Sequence, residues 1–219
     1  MRIAWLIWLA ATLSLSIYAA SGYIAARSEM VPIVLSPGFV AHQKVFRYGD
    51  DHLRMQLVFR GEATKRPELG NYGLPANVPR DRLEFSNPGA EIVLKASSDS
   101  AGTPIPYSAL PNSGHSPGLI YRNLVAGLNE RPGVWKWPPA NPGLSLEPGT
   151  NDVRVEVATV GREISGENIN LIIHPEIGFK ACGSQVCWLW AWFAWPFFLI
   201  VQLIWAFALF RTAPGRTTK

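Results

Sequence analysis

Once its two hydrophobic ends are set aside, the 219-residue chain has room for one domain of ordinary size. Its formal charge of +4 is not carried by that domain: residues 22–185 hold 16 Lys+Arg against 16 Asp+Glu, and the surplus sits in Arg2, Arg211, Arg216 and Lys219. A phosphate-binding face needs its cations concentrated on the folded part, so this placement argues against nucleic acid as a partner.

Met1-Arg2 opens onto Ile3 to Ala26, a run of 24 uncharged residues. Residues 1–26 read as an N-terminal transmembrane helix or a signal peptide. A signal peptide would be cut after small residues near Ala19-Ala20-Ser21. An uncleaved anchor would use the whole run, with Trp5 and Trp8 near one interface and Tyr18 and Tyr23 near the other. A lipid-anchoring cut is excluded, because neither cysteine lies here.

Residues 27–180 read as a periplasmic β-sandwich domain. Residues 22–185 contain 16 of the 18 prolines, which argues against long helices. The clearest strand is Leu53 to Arg60, with Leu53, Met55, Leu57 and Phe59 on one face and Arg54, Gln56 and Arg60 on the other. Asp152 to Val160 and Glu167 to His174 alternate in the same way. The link between them, Gly161 to Gly166, predicts a hairpin. Weaker strands are Ile33–Leu35, Val40–Arg47, Glu91–Ala96 and Leu119–Leu124. Half-polar strands bury their apolar face against a second sheet, so the expected fold is an antiparallel, Ig-like sandwich of seven or eight strands. Glu62–Pro88, Ser97–Pro117 and Gly127–Gly149 read as long connections, where binding residues tend to lie.

The order of the Leu53–Phe59 strand, then Gly102-Thr103-Pro104-Ile105-Pro106, then Leu146-Glu147-Pro148-Gly149 before a Val-rich pair of strands, resembles an uncharacterised family of bacterial lipoprotein-like periplasmic domains. The resemblance spans Phe39 to His174. It implies a sandwich and no assigned activity, and the two membrane helices depart from its lipid-anchored pattern.

Residues able to carry chemistry are scattered. His42, His52, His115 and His174 show no zinc spacing. His52 beside Asp50-Asp51 is an acid-imidazole cluster, but it sits at a Tyr48-Gly49 turn and reads as a solvated strand opening. Ser113-Gly114-His115-Ser116 reads as loop, without the flanking pattern of a nucleophile elbow. The carboxylates have no paired spacing. No cofactor and no enzyme are expected; the alternative is an enzyme acting on envelope polymers or lipids through the long loops. In the third connection, Trp135-Lys136-Trp137 places two rings on one side of an extended segment, either closing the core or forming an exposed anchor.

Cys182 and Cys187 predict a disulfide on the outer side of the membrane, in an oxidising compartment. Val186 to Phe210, 25 residues without a charge, predicts a continuous C-terminal transmembrane helix over 186–210. On that helix Trp188, Trp192, Trp195, Leu199 and Gln202 would share one face, meeting either the first helix through Thr12, Ser14 and Ser16 or a separate partner. The basic tail, 211–219, should stay cytoplasmic. The expectation is a two-pass protein of the bacterial inner membrane with both termini cytoplasmic and the main domain periplasmic. It would touch the bilayer and a protein partner as a binding or accessory module: a subunit of an envelope complex, or an immunity-type protein that neutralises a toxin.

Overall fold

Alternation decides where the core lies. In the computed structural model, which describes residues 2–73, 81–99, 101–179 and 185–212 with the side chains of 101 and 102 excepted, Leu53, Met55, Leu57 and Phe59 are all buried. So are Val153, Val155 and Val157, and Ile169, Leu171 and Ile173, as their period of two requires. Each such side chain contributes on the order of 1.5–3 kcal/mol when removed from water. The chain divides into two compact units: residues 28–175, and residues 1–27 with 176–219.

Unit 28–175 is mainly β. In chain order its strands are β1 (Glu29–Val34), β2 (Val40–Arg47), β3 (Asp51–His52), β4 (Met55–Arg60), β5 (Arg82–Glu84), β6 (Ile92–Ser98) and β7 (Ala101–Ala109). There follow β8 (Gly114–Ser116), β9 (Leu119–Ala126), β10 (Val134–Lys136), β11 (Ser145–Leu146), β12 (Gly149–Val160) and β13 (Asn168–Ile173). Nine strands form an antiparallel sheet in the order β1-β13-β4-β9-β7-β6-β12-β2, with β8 added against β9. The outermost strands, β1 and β2, come alongside each other, so the sheet is nearly closed into a barrel. Two short pairs, β10 with β5 and β11 with β3, lie apart from it.

Two expectations fail for local reasons. β12 and β13 do not make a hairpin: β12 pairs with β2 and β6, and β13 with β1 and β4. The link contains a 3-10 turn, Arg162–Ile164, that buries Ile164 in the core. Leu35 N then donates to Glu167 O at 2.9 Å, which sets β13 against β1 instead. The second failure is β7, a nine-residue strand inside the supposed connection Ser97–Pro117. Its prolines hid it. A residue's N and O share one edge of a strand, and Pro106 O accepts from Gly127 N at 2.7 Å. The missing N–H of Pro106, and that of Pro104 on the same edge, therefore face away from β6, and the β6–β7 ladder survives.

The other unit holds α1 (Arg2–Ala25) and a C-terminal apolar segment. Arg2–Ala25 and Cys187–Arg211 are both long and apolar enough to cross a membrane. The expected single helix over 186–210 is corrected: Cys187–Ala194 is 3-10, and α2 (Trp195–Arg211) begins only afterwards. Pro196 lacks the N–H that would close an α turn onto Trp192 O. The Trp195 N–H bonds that carbonyl instead, one residue closer. The second cysteine call, Cys182, and most of the tail, Arg216 and Lys219 included, lie outside the described residues.

Candidate functional site

The connection Glu62–Pro88 is fixed by one arginine. The Arg66 guanidinium takes both carboxylate oxygens of Glu167, at 3.1 and 2.7 Å, donates to Arg60 O at 2.9 Å, and pairs through Nε with Glu68. The hydrogen bond to Glu167 holds the Arg66 pKa up against the opposing effect of burial. Burial pulls Glu68 upward, but the bond and charge of Arg66 together hold its carboxyl below the usual range. Gly70 follows at φ +78°, where a Cβ would lie 2.7 Å from Pro111 Cβ, so the chain passes against the neighbouring connection only with glycine.

This anchoring shapes an open polar groove between two of the long connections. Cavities of about 540 and 590 Å³ share Ala63, Thr64 and His115. Asn71, Tyr72, Asn112 and Ser113 line the first, and Glu62 and Ser116 the second. Some of this polarity is spent on the backbone: Asn112 Oδ1 accepts from Gly114 N at 3.2 Å and Asn71 Oδ1 from Gly73 N at 3.2 Å. Tyr72 is partly exposed and packs on Phe85, with ring centroids 5.2 Å apart.

A second, tighter cavity of about 90 Å³ lies beside Arg122, bordered by Ile92, Ser108, Asn129 and Trp135. Arg122 occupies an inward position of β9, between Ile120 and Leu124, and is 1 % exposed. Its Nε donates to Leu110 O at 2.7 Å, Nη1 to Ala90 O at 2.8 Å, and Nη2 to Pro88 O and Ala109 O at 3.2 Å each. Burial alone pulls its pKa down to about 10. Sequence reading missed this residue; the only signal was a charge at an inward position of a weakly alternating strand.

The nominated tryptophans separate. Trp135 and Trp137 differ in burial. Trp135 is 5 % exposed, packs on Phe85 at 5.5 Å, and donates from Nε1 to Ser108 Oγ at 2.8 Å. Trp137 lies beyond the end of β10 and is 41 % exposed. Of the two readings of this segment, Trp135 takes the core one, while Trp137 keeps the exposure that an anchor needs. Trp188 and Trp192 lie in the 3-10 stretch, which winds three residues per turn, and so fall off the α-helical face that Trp195, Leu199 and Gln202 share on α2. Trp192 packs on Gly22, and Trp188 O accepts from the Tyr18 hydroxyl at 2.8 Å. Trp195 and Leu199 are exposed. Gln202 Oε1 accepts from Thr12 Oγ1 at 3.4 Å, and Gln202 O from Trp8 Nε1 at 3.1 Å. Cys187 is disulfide-bonded.

The acid-imidazole cluster also differs from expectation. Asp51 is not solvated: its carboxylate pairs with the buried Arg47 guanidinium at 3.0 Å, while His52 points to solvent. His42 instead meets Asp152 at 3.5 Å on the exposed face of the β2–β12 pair. His174 is pulled below its ordinary pKa by burial, with the charge of Arg54 adding to the shift. Among the described residues, no three His, Cys, Asp or Glu side chains converge to hold a metal.

No family model and no curated protein matches the chain. Among solved structures, a protein of Sulfurospirillum deleyianum known from its crystal structure is similar at a TM-score of 0.39 and 13 % identity, over 68 % of this chain and 97 % of that one. A likeness at that level assigns neither fold nor function.

Proposed function

We propose that this is a membrane-anchored binding or accessory protein. Its two apolar segments hold one β domain on the periplasmic side of the inner membrane, with both termini cytoplasmic. There the domain serves an envelope complex as a subunit, or acts as an immunity-type protein against a toxin. Within this reading the nearly closed sheet works as a flattened, Ig-like sandwich whose loop end carries the groove.

One observation carries the proposal. In the helical unit, Ile3, Leu6, Leu13, Ile17, Phe197, Ile200, Leu203 and Ile204 are exposed, whereas the polar atoms of Thr12 and Gln202 meet each other. Apolar side chains outside and paired polar groups inside are what a hydrocarbon surrounding demands. The experiment has two arms in the native cell. Reporters fused after Lys219 should behave as cytoplasmic and those inserted at Asn141 as exported; the reverse overturns the topology. A photoreactive amino acid at His115 or Trp137 should then give a discrete adduct. Correct display with silence at both positions counts against a binding role.

A further inference from the structure

The position of Arg122 is one that alternation reserves for a hydrophobe: Ile120 and Leu124 flank it on the inward face, and Leu57 lies across from it on β4. A guanidinium there has to be explained by what it contacts. Its four hydrogen bonds all go to backbone carbonyls, two in the connection before β6 and two at the end of β7. These explain how the side chain clamps the two segments. They do not explain the charge. Carbonyl dipoles solvate a cation but do not neutralise it, and no described carboxylate forms an ion pair with Arg122. Glu91, which borders the same cavity, is exposed to solvent. Of the five guanidinium N–H groups, the four bonds leave one on Nη1 unspent.

The cavity adjoins this cation. Its volume of about 90 Å³ is room for several waters or one group of a few heavy atoms. Ile92, Pro88, Pro132 and the Trp135 ring supply apolar wall. The Trp135 indole N–H is already given to Ser108, whose hydroxyl donates onward to Gly127 O at 3.0 Å, so neither competes for the ligand.

We propose that this cavity binds a small organic carboxylate, its carboxylate oxygen taken by the Arg122 guanidinium and its short apolar part resting against Trp135. The anion supplies the countercharge that the fold lacks, in a setting where charge-assisted hydrogen bonds are strong. The inference rests on the cavity alone and does not depend on the polar groove or on the protein's partner.

The test uses the full chain in detergent micelles, with arginine labelled by ¹⁵N and the Arg122 Nε–H resonance assigned through Arg122→Lys. Sodium propionate is titrated at constant ionic strength, with propionamide as its neutral isostere. Propionate should move the Arg122 resonance saturably, and the amide should bind about tenfold more weakly or worse, for want of the charge. No shift with propionate, or equal shifts with both, overturns the proposal and leaves Arg122 as a clamp. In Arg122→Met, a folded protein should lose the thermal protection that propionate gives; protection retained in that variant overturns the proposal equally. If Arg122→Met does not fold, the wild-type titration decides by itself.

Discussion

Tyr107 shows how much one side chain does for the interior. Its hydroxyl donates to Leu53 O at 3.1 Å and accepts from Leu144 N at 2.7 Å, tying β7 to the chain before β4 and to the third long connection. Gly143 is required beside it, since a Cβ there would lie 2.7 Å from the hydroxyl. Tyr107→Phe leaves two backbone groups unpaired and is expected to lower stability by about 1–3 kcal/mol, as read by urea denaturation. Burial pushes the phenol's pKa up to about 12, with the bond from Leu144 pulling back. A folded pKa raised above the unfolded value of about 10 gives stability that is complete below pH ~10 and is lost as pH rises through about 12. Alkaline unfolding should therefore steepen in that window, and less so in Tyr107→Phe. The tryptophan pair supplies a second residue-scale prediction. Trp135→Ala removes a buried ring and its bond to Ser108, and should cost on the order of 3–5 kcal/mol. Trp137→Ala should leave the melting temperature nearly unchanged. Equal effects from the two would show that the burial difference has no energetic weight. Neither Arg122 nor this split was legible in the sequence. A single charge in a short strand looks like an outward residue, and a period-two argument cannot tell where its strand stops.

Among the elements, those that were legible are the ones whose burial rests on simple alternation: β4, β12, β13 and the weaker β2, β6 and β9. Long-range pairing was not. Gly161 to Gly166 looks like a hairpin link by composition, yet a buried Ile164 takes the chain across to β1. Proline was the other source of error, in opposite senses. Pro104 and Pro106 looked like loop and sit in a strand, whereas Pro196, inside a run that reads as one continuous helix, divides a 3-10 stretch from an α-helix. The second case gives a prediction. Pro196→Ala restores an N–H that can bond Trp192 O, so the α-helix should extend toward Cys187, and far-ultraviolet circular dichroism should report more helix. Unchanged helicity would mean that packing, not proline, holds the 3-10 form. The contact of Gly22 with Trp192 offers that packing: a Cβ on Gly22 would fall 2.1 Å from Trp192 Cγ. Gly22→Val should therefore loosen α1 from the 3-10 stretch and lower the temperature at which the helical unit melts in detergent.

For the whole molecule, compartment and covalent state make one connected claim. In the proposed topology, which follows from the positive surplus at Arg2, Arg211, Arg216 and Lys219, the ends would be cytoplasmic and residues 28–175 and the start of the second apolar segment would lie on the far side. Cys187 stands at that start, as the first residue of the 3-10 stretch. A disulfide persists there only if the compartment is oxidising. Intact-mass analysis of protein purified without reductant should thus find no thiol open to alkylation until reduction, after which both Cys182 and Cys187 label. Quantitative labelling before reduction would place the cysteines in a reducing compartment and reverse the topology together with it. The loop that such a bond closes is short, so its effect on the unfolded chain is small, roughly 2 kcal/mol or less. Cys182→Ser should accordingly leave the β domain's melting temperature close to that of the parent. On the proposed topology its consequence should appear instead in the second apolar segment: less of the protein inserted, or a lower photo-adduct yield at His115 and Trp137. A large fall in the β domain's own stability would show that the bond braces the fold rather than the approach to the bilayer.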